Sequence, residues 1–317
     1  MTSLKPQLAE DAQLDKVTYP CFVQPKLDGV RAMNLTGTLV GRSLDPFKGF
    51  GVTEYFSKPE FIGLDGEMIL GNVPNSTERL CSLTTGAMGR FKGVTEMPDL
   101  HWFVFDYVTP ETAHLGYGAR YDKLAWQVGV LNHPRIHLVP RAFVGTRNLL
   151  DIIIADHSEQ GFEGSIIRNP RSTYKPGRST AEGQLWRVKP WGDFEILVTG
   201  ITEGQKNENA AKTNTLGRTE RSSAQAGMVP NGQVGSIQGT LVADVKDHLG
   251  HTMFAAGLEI TAGSGEMSVK EATHFFNNPH ELVGHYAKVK HMTFGYKDLP
   301  RFPTFMSIRL REDMASV

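Results

Sequence analysis

Lys26-Leu27-Asp28-Gly29-Val30-Arg31 sets an amine in a tight Asp-Gly turn that an arginine closes, directly after the strand-like run Cys21-Phe22-Val23-Gln24-Pro25. Gly29 tolerates backbone angles that a side chain forbids, so the turn holds the amine still. Arg31 returns two residues past the turn and can aim its fork of donors at a ribose or phosphate oxygen in the same pocket. An amine fixed in this way suits covalent nucleotide transfer. Taken alone, the hexapeptide equally fits a hairpin turn on a solvated surface.

Four later segments repeat the theme of a charged group fixed beside glycine or on an apolar strand. Leu64-Asp65-Gly66-Glu67-Met68-Ile69-Leu70 places two carboxylates at i and i+2, on one side of a strand. Gly66 there would let backbone approach a ligand closely. Phe103-Val104-Phe105-Asp106-Tyr107-Val108 and Phe162-Glu163-Gly164-Ser165-Ile166-Ile167-Arg168 follow, and in Leu185-Trp186-Arg187-Val188-Lys189-Pro190 two cations alternate onto one face. Asp28 either orients the lysine or serves only the turn.

In this order the segments resemble the motif series of the ATP-dependent DNA ligases, within the covalent nucleotidyltransferase superfamily. The resemblance covers nearly the whole chain and is closest to the compact ligases of bacteriophages. It implies an α+β chain: a nucleotidyltransferase domain, ATP-grasp-like with antiparallel sheets and helices, over 1–191, then a β-barrel OB-fold domain over 192–317. Leu299-Pro300-Arg301-Phe302-Pro303-Thr304-Phe305, leading to Arg309-Leu310-Arg311-Glu312-Asp313, is similar to the Arg-x-Asp-Lys element that closes such OB domains. Met314 stands where a lysine is usual.

Roles carry over with those motifs. Lys26 would attack the α-phosphorus of ATP, its free-base form favoured by partial burial and by the cations Arg187 and Lys189. Gln24, Arg31, Glu67, Phe105 and Glu163 would surround the nucleotide. Phe105 would stack on adenine and Phe103 pack in the core, although their spacing alone points both the same way. Glu67 and Glu163 are the expected ligands of Mg2+ (or Mn2+), and Arg187 and Lys189 the α-phosphate clamp, where the family usually has two lysines. Arg42, Arg218, Arg221, Lys288 and Lys290 would meet DNA, and Arg311 with Asp313 would orient pyrophosphate as the second domain closes. The implied reaction seals nicked duplex DNA in replication, repair or recombination. A capping guanylyltransferase, an RNA ligase and a non-enzymatic OB-type binding module are the competing readings.

Composition agrees without deciding. At 317 residues the chain holds two domains. Apolar runs are too short for a bilayer, and no signal peptide is visible. Cys21 and Cys81 alone exclude a disulfide framework and a four-cysteine zinc module. These features fit a monomeric cytoplasmic enzyme, in the host cytoplasm if viral. The net charge of −1 argues against nucleic acid, and residues 192–317 hold 12 Lys and Arg against 14 Asp and Glu. Yet Lys288, Lys290, Lys297, Arg301, Arg309 and Arg311 gather near the end, interleaved with Tyr286, His291, Phe294 and Tyr296. That stretch fits either a phosphate track or the wet face of a barrel strand.

The elements that must position these groups are mainly strands. Thr36-Gly37 reads as a hairpin turn, residues 119–131 and 146–160 as amphipathic helices, the second ended by Gly161, and Ser268-Val269-Lys270-Glu271 as a capping box. The boundary lies near Pro190-Trp191-Gly192. Residues 205–235, polar and poor in apolar side chains, read as a mobile loop.

Overall fold

Strand Cys21–Lys26 sits inside a five-stranded sheet whose order is Glu10–Asp11, Leu185–Val188, Gly164–Arg168, Cys21–Lys26, Ala142–Val144. A computed structural model of the chain describes residues 5–72, 80–93, 96–178, 185–247, 250–293, 296 and 298–309. The chain divides into two compact units, Met1–Pro190 and Trp191–Val317. The first unit also contains a four-stranded sheet, in the order Val30–Met33, Leu64–Leu70, Leu100–Tyr107, Ile136–Leu138. Pairing is antiparallel except at one edge of each sheet, where Glu10–Asp11 and Ile136–Leu138 run parallel to their neighbours.

The Asp28-Gly29 turn is not a hairpin. Lys26 ends a strand of the first sheet and Val30 begins a strand of the second, so the turn carries the chain from one sheet to the other. Gly29 is obligatory for a packing reason, since a Cβ there would lie 2.3 Å from the carbonyl oxygen of Met68.

Among the described residues five α-helices accompany the strands: α1 Phe50–Phe56, α2 Leu80–Arg90, α3 Tyr117–Leu131, α4 Arg147–Glu159 and α5 Val269–Asn277. Helix α3 ends on Asn132, which adopts the left-handed conformation at φ 41°. The Thr146 hydroxyl accepts from the Leu149 amide at the start of α4, Gly161 follows its end at φ 81°, and the Ser268–Glu271 capping box starts α5. The buried side chains of Phe56, Met68, Trp102 and Leu124 centre the core of the four-stranded sheet, while Val23, Val144, Leu150 and Ile167 form a second core.

In the second unit, strands Trp191–Asn207, Met228–Leu241, Glu259–Gly263, Arg301–Arg309 and Tyr286–Met292 pair in that order round a closed barrel. Alternation on Tyr286–Met292 puts Ala287 and Val289 in its core with Phe194, Ile237, Ile260 and Phe305. His291 is 1% exposed and packs on Phe194 and Phe254, and Tyr296 also meets Phe254. These two aromatic side chains therefore pack on the barrel core, and of the two readings of that stretch they do not support the phosphate track.

Residues 205–235 are not an irregular loop. The ladder between Trp191–Asn207 and Met228–Leu241 runs out to the pair Asn207 and Met228, and beyond it Ala211–Thr213 pairs with Thr219–Arg221. The arm is exposed and held by backbone hydrogen bonds, so it leaves no apolar alternation in the sequence.

Candidate active site

Lys26 is fixed from three directions. Its strand lies between two others, and Lys26 pairs with Gly164 across the ladder, next to Glu163. The Glu163 amide donates to the Lys26 carbonyl at 3.1 Å. Lys26 Nζ donates to Glu163 Oε2, and Lys189 Nζ lies 2.7 Å from Oε1 of the same carboxylate. Burial pushes the Glu163 carboxyl upward, but the two ammonium groups outweigh it and hold the group below its ordinary range. The sequence predicts cations beside Lys26; the structure has an anion between Lys26 and Lys189, because Lys26 ends its strand, Lys189 directly follows Leu185–Val188, and Glu163 directly precedes Gly164–Arg168, which pairs with both of those strands.

Gly164 makes that approach possible. At φ 148°, in the region that favours glycine, it sits so close to the next strand that a Cβ would fall 2.0 Å from the Val188 carbonyl oxygen. Arg187, expected beside Lys189 on the phosphate clamp, lines the same cavity as Lys26 and forms a two-point ion pair with Asp11 at 2.7 and 3.2 Å.

The second wall comes from the other sheet. Arg31 pairs in register with Glu67, while its guanidinium reaches Asp65 with two bonds of 2.6 Å. Asp65 is fully buried, and burial pushes its carboxyl up against the pull of Arg31. Glu67 is pushed up to about 7, by burial first, with Lys26 and Arg31 opposing the rise. Gly66 does not leave room for a ligand: a Cβ there would meet Phe103 O at 2.4 Å, so the glycine admits the neighbouring strand instead.

Phe103 and Phe105 are separated by a bulge. Asp65 pairs with Asp106 and Gly66 with Val104, which leaves Phe105 as the extra residue and breaks the alternation that would have aimed both rings alike. Phe103 is buried in the core, whereas Phe105 lines the cavity under the guanidinium groups of Arg31, at 4.7 Å, and Arg168, at 5.4 Å.

The cavity brings together Gln24, Lys26, Arg31, Glu67, Phe105 and Arg187, and adds Arg42 and Arg168. Nothing in the sequence singles out Arg168 for the cavity. It rests on Asp106, which also takes two bonds from the fully buried Arg120, at 2.8 and 3.1 Å. No spacing rule exposes this cluster, because its members come from three elements. Arg168 Nε has no acceptor among the described residues, which suits a cavity whose remaining acceptor comes with a ligand.

The oxygen donors fit magnesium in the way a nucleotide site holds it. Among the described residues no group of three or more His, Cys, Asp or Glu forms a cage, while Glu67 and Glu163 offer the one or two carboxylates that magnesium takes alongside substrate phosphates.

The remaining candidates lie in the second unit. Arg218 and Arg221 are exposed on the arm, and Arg221 donates to the Asn209 carbonyl. Lys288 and Lys290 share one face of their strand, and each has an acidic partner, Asp193 at 3.0 Å and Glu266. Arg311 and Asp313 lie outside the described residues, as does Met314.

A crystal structure of the Chlorella virus DNA ligase-adenylate is 25% identical, with a TM-score of 0.51, over 98% of this chain and 99% of that one. The chain has the fold of the DNA ligases. A Lig E DNA ligase described as binding DNA with a minimal scaffold superposes with a TM-score of 0.67 at 19% identity, over 96% of this chain and 99% of that one, and supports the same fold. In sequence, the DNA ligase of African swine fever virus (isolate Warthog/Namibia/Wart80/1980) is 24% identical over 151 residues, 46% of this chain. That match spans 33% of the viral ligase's own length. No protein-family model matches the chain. No helix among the described residues is long and apolar enough to cross a membrane.

Proposed function

We propose that the protein is an ATP-dependent DNA ligase that seals 5′-phosphate/3′-hydroxyl nicks in duplex DNA through a lysine-AMP intermediate. The observation that carries this reading is the Lys26 amine at the wall of a cavity that also presents Phe105, Arg31 and Glu67. The likeness to a viral ligase-adenylate across almost the whole of both chains supports it.

On this reading Phe105 stacks on adenine and Arg31, braced by Asp65, holds the ribose. Glu163 keeps the Lys26 amine in place until it attacks the α-phosphorus, where a P–N bond forms and pyrophosphate leaves. Lys189 and Arg187 steady the charge that builds on the α-phosphate. AMP then passes to the 5′-phosphate of the nick, and the 3′-hydroxyl displaces it. Alignment and electrostatics supply most of the acceleration. Magnesium held by Glu67 and Glu163 would neutralise phosphate charge.

We read 1–191 as the nucleotidyltransferase domain and 192–317, with its five-stranded barrel, as an OB fold that grips DNA. Arg42 serves the nicked strand, and the exposed arm with Arg218 and Arg221 adds backbone contacts. The enzyme acts as a monomer in the cytoplasm, a host's if the source is viral.

The test is strand joining. Purified protein with ATP, magnesium and a 5′-phosphorylated nicked DNA duplex joins the strands, and a matched nick in RNA stays open. Joining of RNA alone would identify an RNA ligase, and labelling with GTP in place of ATP a capping enzyme.

A further inference from the structure

Arg187 meets its partner at the edge of the five-stranded sheet. Glu10–Asp11 runs parallel to Leu185–Val188, Asp11 stands in register with Arg187, and the Ala12 amide donates to the Arg187 carbonyl at 2.9 Å. Leu8 and Ala9, just before this strand, line the cavity together with Arg187. The Arg187 guanidinium makes two hydrogen bonds among the described residues, and both go to Asp11. Nε donates to Oδ1 at 2.7 Å and Nη2 to Oδ2 at 3.2 Å. The Asp11 carboxyl lies below its ordinary range, held there first by the bond from Arg187, with burial opposing.

The atoms used in this pair decide what is left for a ligand. A guanidinium is planar and rigid, so its donors lie on separate edges that turn together. The carboxylate takes the edge formed by Nε and Nη2. Nη1 keeps both of its hydrogens and Nη2 keeps one, and these form the adjoining edge, which can hold two oxygens of one phosphate. An unpaired arginine would lose side-chain freedom when the phosphate arrives, whereas the two bonds to Asp11 order the group beforehand. A lysine at this position would bring a single nitrogen to both the carboxylate and the phosphate. Arginine can serve the two at once because its edges are distinct.

We propose that Asp11 is a positioning residue for nucleotide transfer: it docks one edge of Arg187 and so aims the other at the α-phosphate. Asp11 touches no substrate atom and acts only through the guanidinium. The proposal rests on the reading of Arg187 as part of the α-phosphate clamp. A carboxylate that competed with the phosphate for Arg187 would have the opposite effect on the rate, which makes the sign of the change decisive.

The experiment measures lysine-AMP formation with labelled ATP and magnesium in single turnover, as the maximal rate and the ATP concentration that half-saturates it. The proteins are the wild type, Asp11→Ala, Arg187→Ala and the double variant, with Asp151→Ala as the control. Asp11 suits substitution because its side chain is 75% exposed. Asp151→Ala removes an exposed ion pair of the same type, in which Arg147 Nε reaches both carboxylate oxygens at 2.8 and 2.9 Å on α4. Asp11→Ala is expected to lower the maximal rate about tenfold while the half-saturating concentration stays within about twofold, because the clamp acts on charge that develops during transfer. The double variant is expected to match Arg187→Ala within about twofold, since without the guanidinium Asp11 has nothing to aim. Asp151→Ala is expected to keep the wild-type rate within about twofold. An unchanged or faster rate in Asp11→Ala, losses that multiply in the double variant, or an equal loss in Asp151→Ala would overturn the role of Asp11 and leave the ATP reading intact. A wild type that forms no lysine-AMP would overturn both.

Discussion

Lys26 and Glu163, 137 residues apart, are joined twice: the lysine ammonium donates to the glutamate carboxylate, and the glutamate amide donates to the lysine carbonyl at 3.1 Å. The backbone bond fixes where the two residues meet and the ion pair fixes where the amine points. With Lys189 on the other carboxylate oxygen, a single buried acid organises both cations.

Glu163→Gln should therefore weaken two things at once. Two ammonium groups would face a neutral amide, so stability should fall by about 1–3 kcal/mol, less than for a fully buried pair because both lysines keep some solvent contact. Formation of the lysine-AMP adduct should fall by about 10²-fold or more. Denaturant unfolding and single-turnover labelling measure the two separately. Unchanged labelling would count against Glu163 as the group that holds the amine.

Glycines separate by what surrounds them. Gly66→Ala would force a Cβ to within 2.4 Å of Phe103 O, and a loss of about 2 kcal/mol or more is expected. Gly129 lies exposed in α3 with nothing within 4 Å of a built Cβ, so Gly129→Ala should stabilise by about 0.5–1 kcal/mol. Denaturant midpoints of the two variants should move in opposite directions.

The sequence carried the strand that ends on Lys26 and the turn that follows it, because each sits in a short segment of fixed spacing. It also carried α3, α4 and the capping box, whose signals are local. It did not carry the Phe105 bulge, the burial of His291 or the Asp106–Arg120–Arg168 cluster, which depend on pairing between distant elements. The arm at 205–235 escaped for another reason: its strands are held by backbone bonds and show no apolar period.

Acid should weaken the first unit through His157. Its ring is buried, Nδ1 lies 2.8 Å from Ser165 Oγ, and burial pushes the imidazole below its ordinary value, with Asp156 opposing. The folded protein thus keeps the ring neutral where the unfolded chain already takes up a proton. The stability it contributes is complete above the unfolded value, about 6.5, and is lost as pH falls from there through the folded value. Denaturant midpoints measured at about pH 7.5 and about pH 5.5 should draw apart less in His157→Asn than in the wild type. An identical pH dependence would remove His157 from the account.

Salt should distinguish the basic residues of the second unit. Arg218 and Arg221 stand exposed on the arm, whereas Lys288 and Lys290 already face Asp193 and Glu266. If the arm lies on phosphates, the double variant Arg218→Ala/Arg221→Ala should reduce the slope of log affinity against log salt by about 2 for nicked duplex. Lys288→Ala/Lys290→Ala should change it less. Equal slopes for the arm variant and the wild type would place the arm away from DNA.

The most direct measurement maps the covalent intermediate. The protein is incubated with ATP and magnesium without DNA, digested, and its peptides are weighed. One AMP moiety is expected on the Lys26 side chain, absent from Lys26→Ala and discharged when nicked DNA is added. An adduct on another residue, or nick joining that persists in Lys26→Ala, would contradict it.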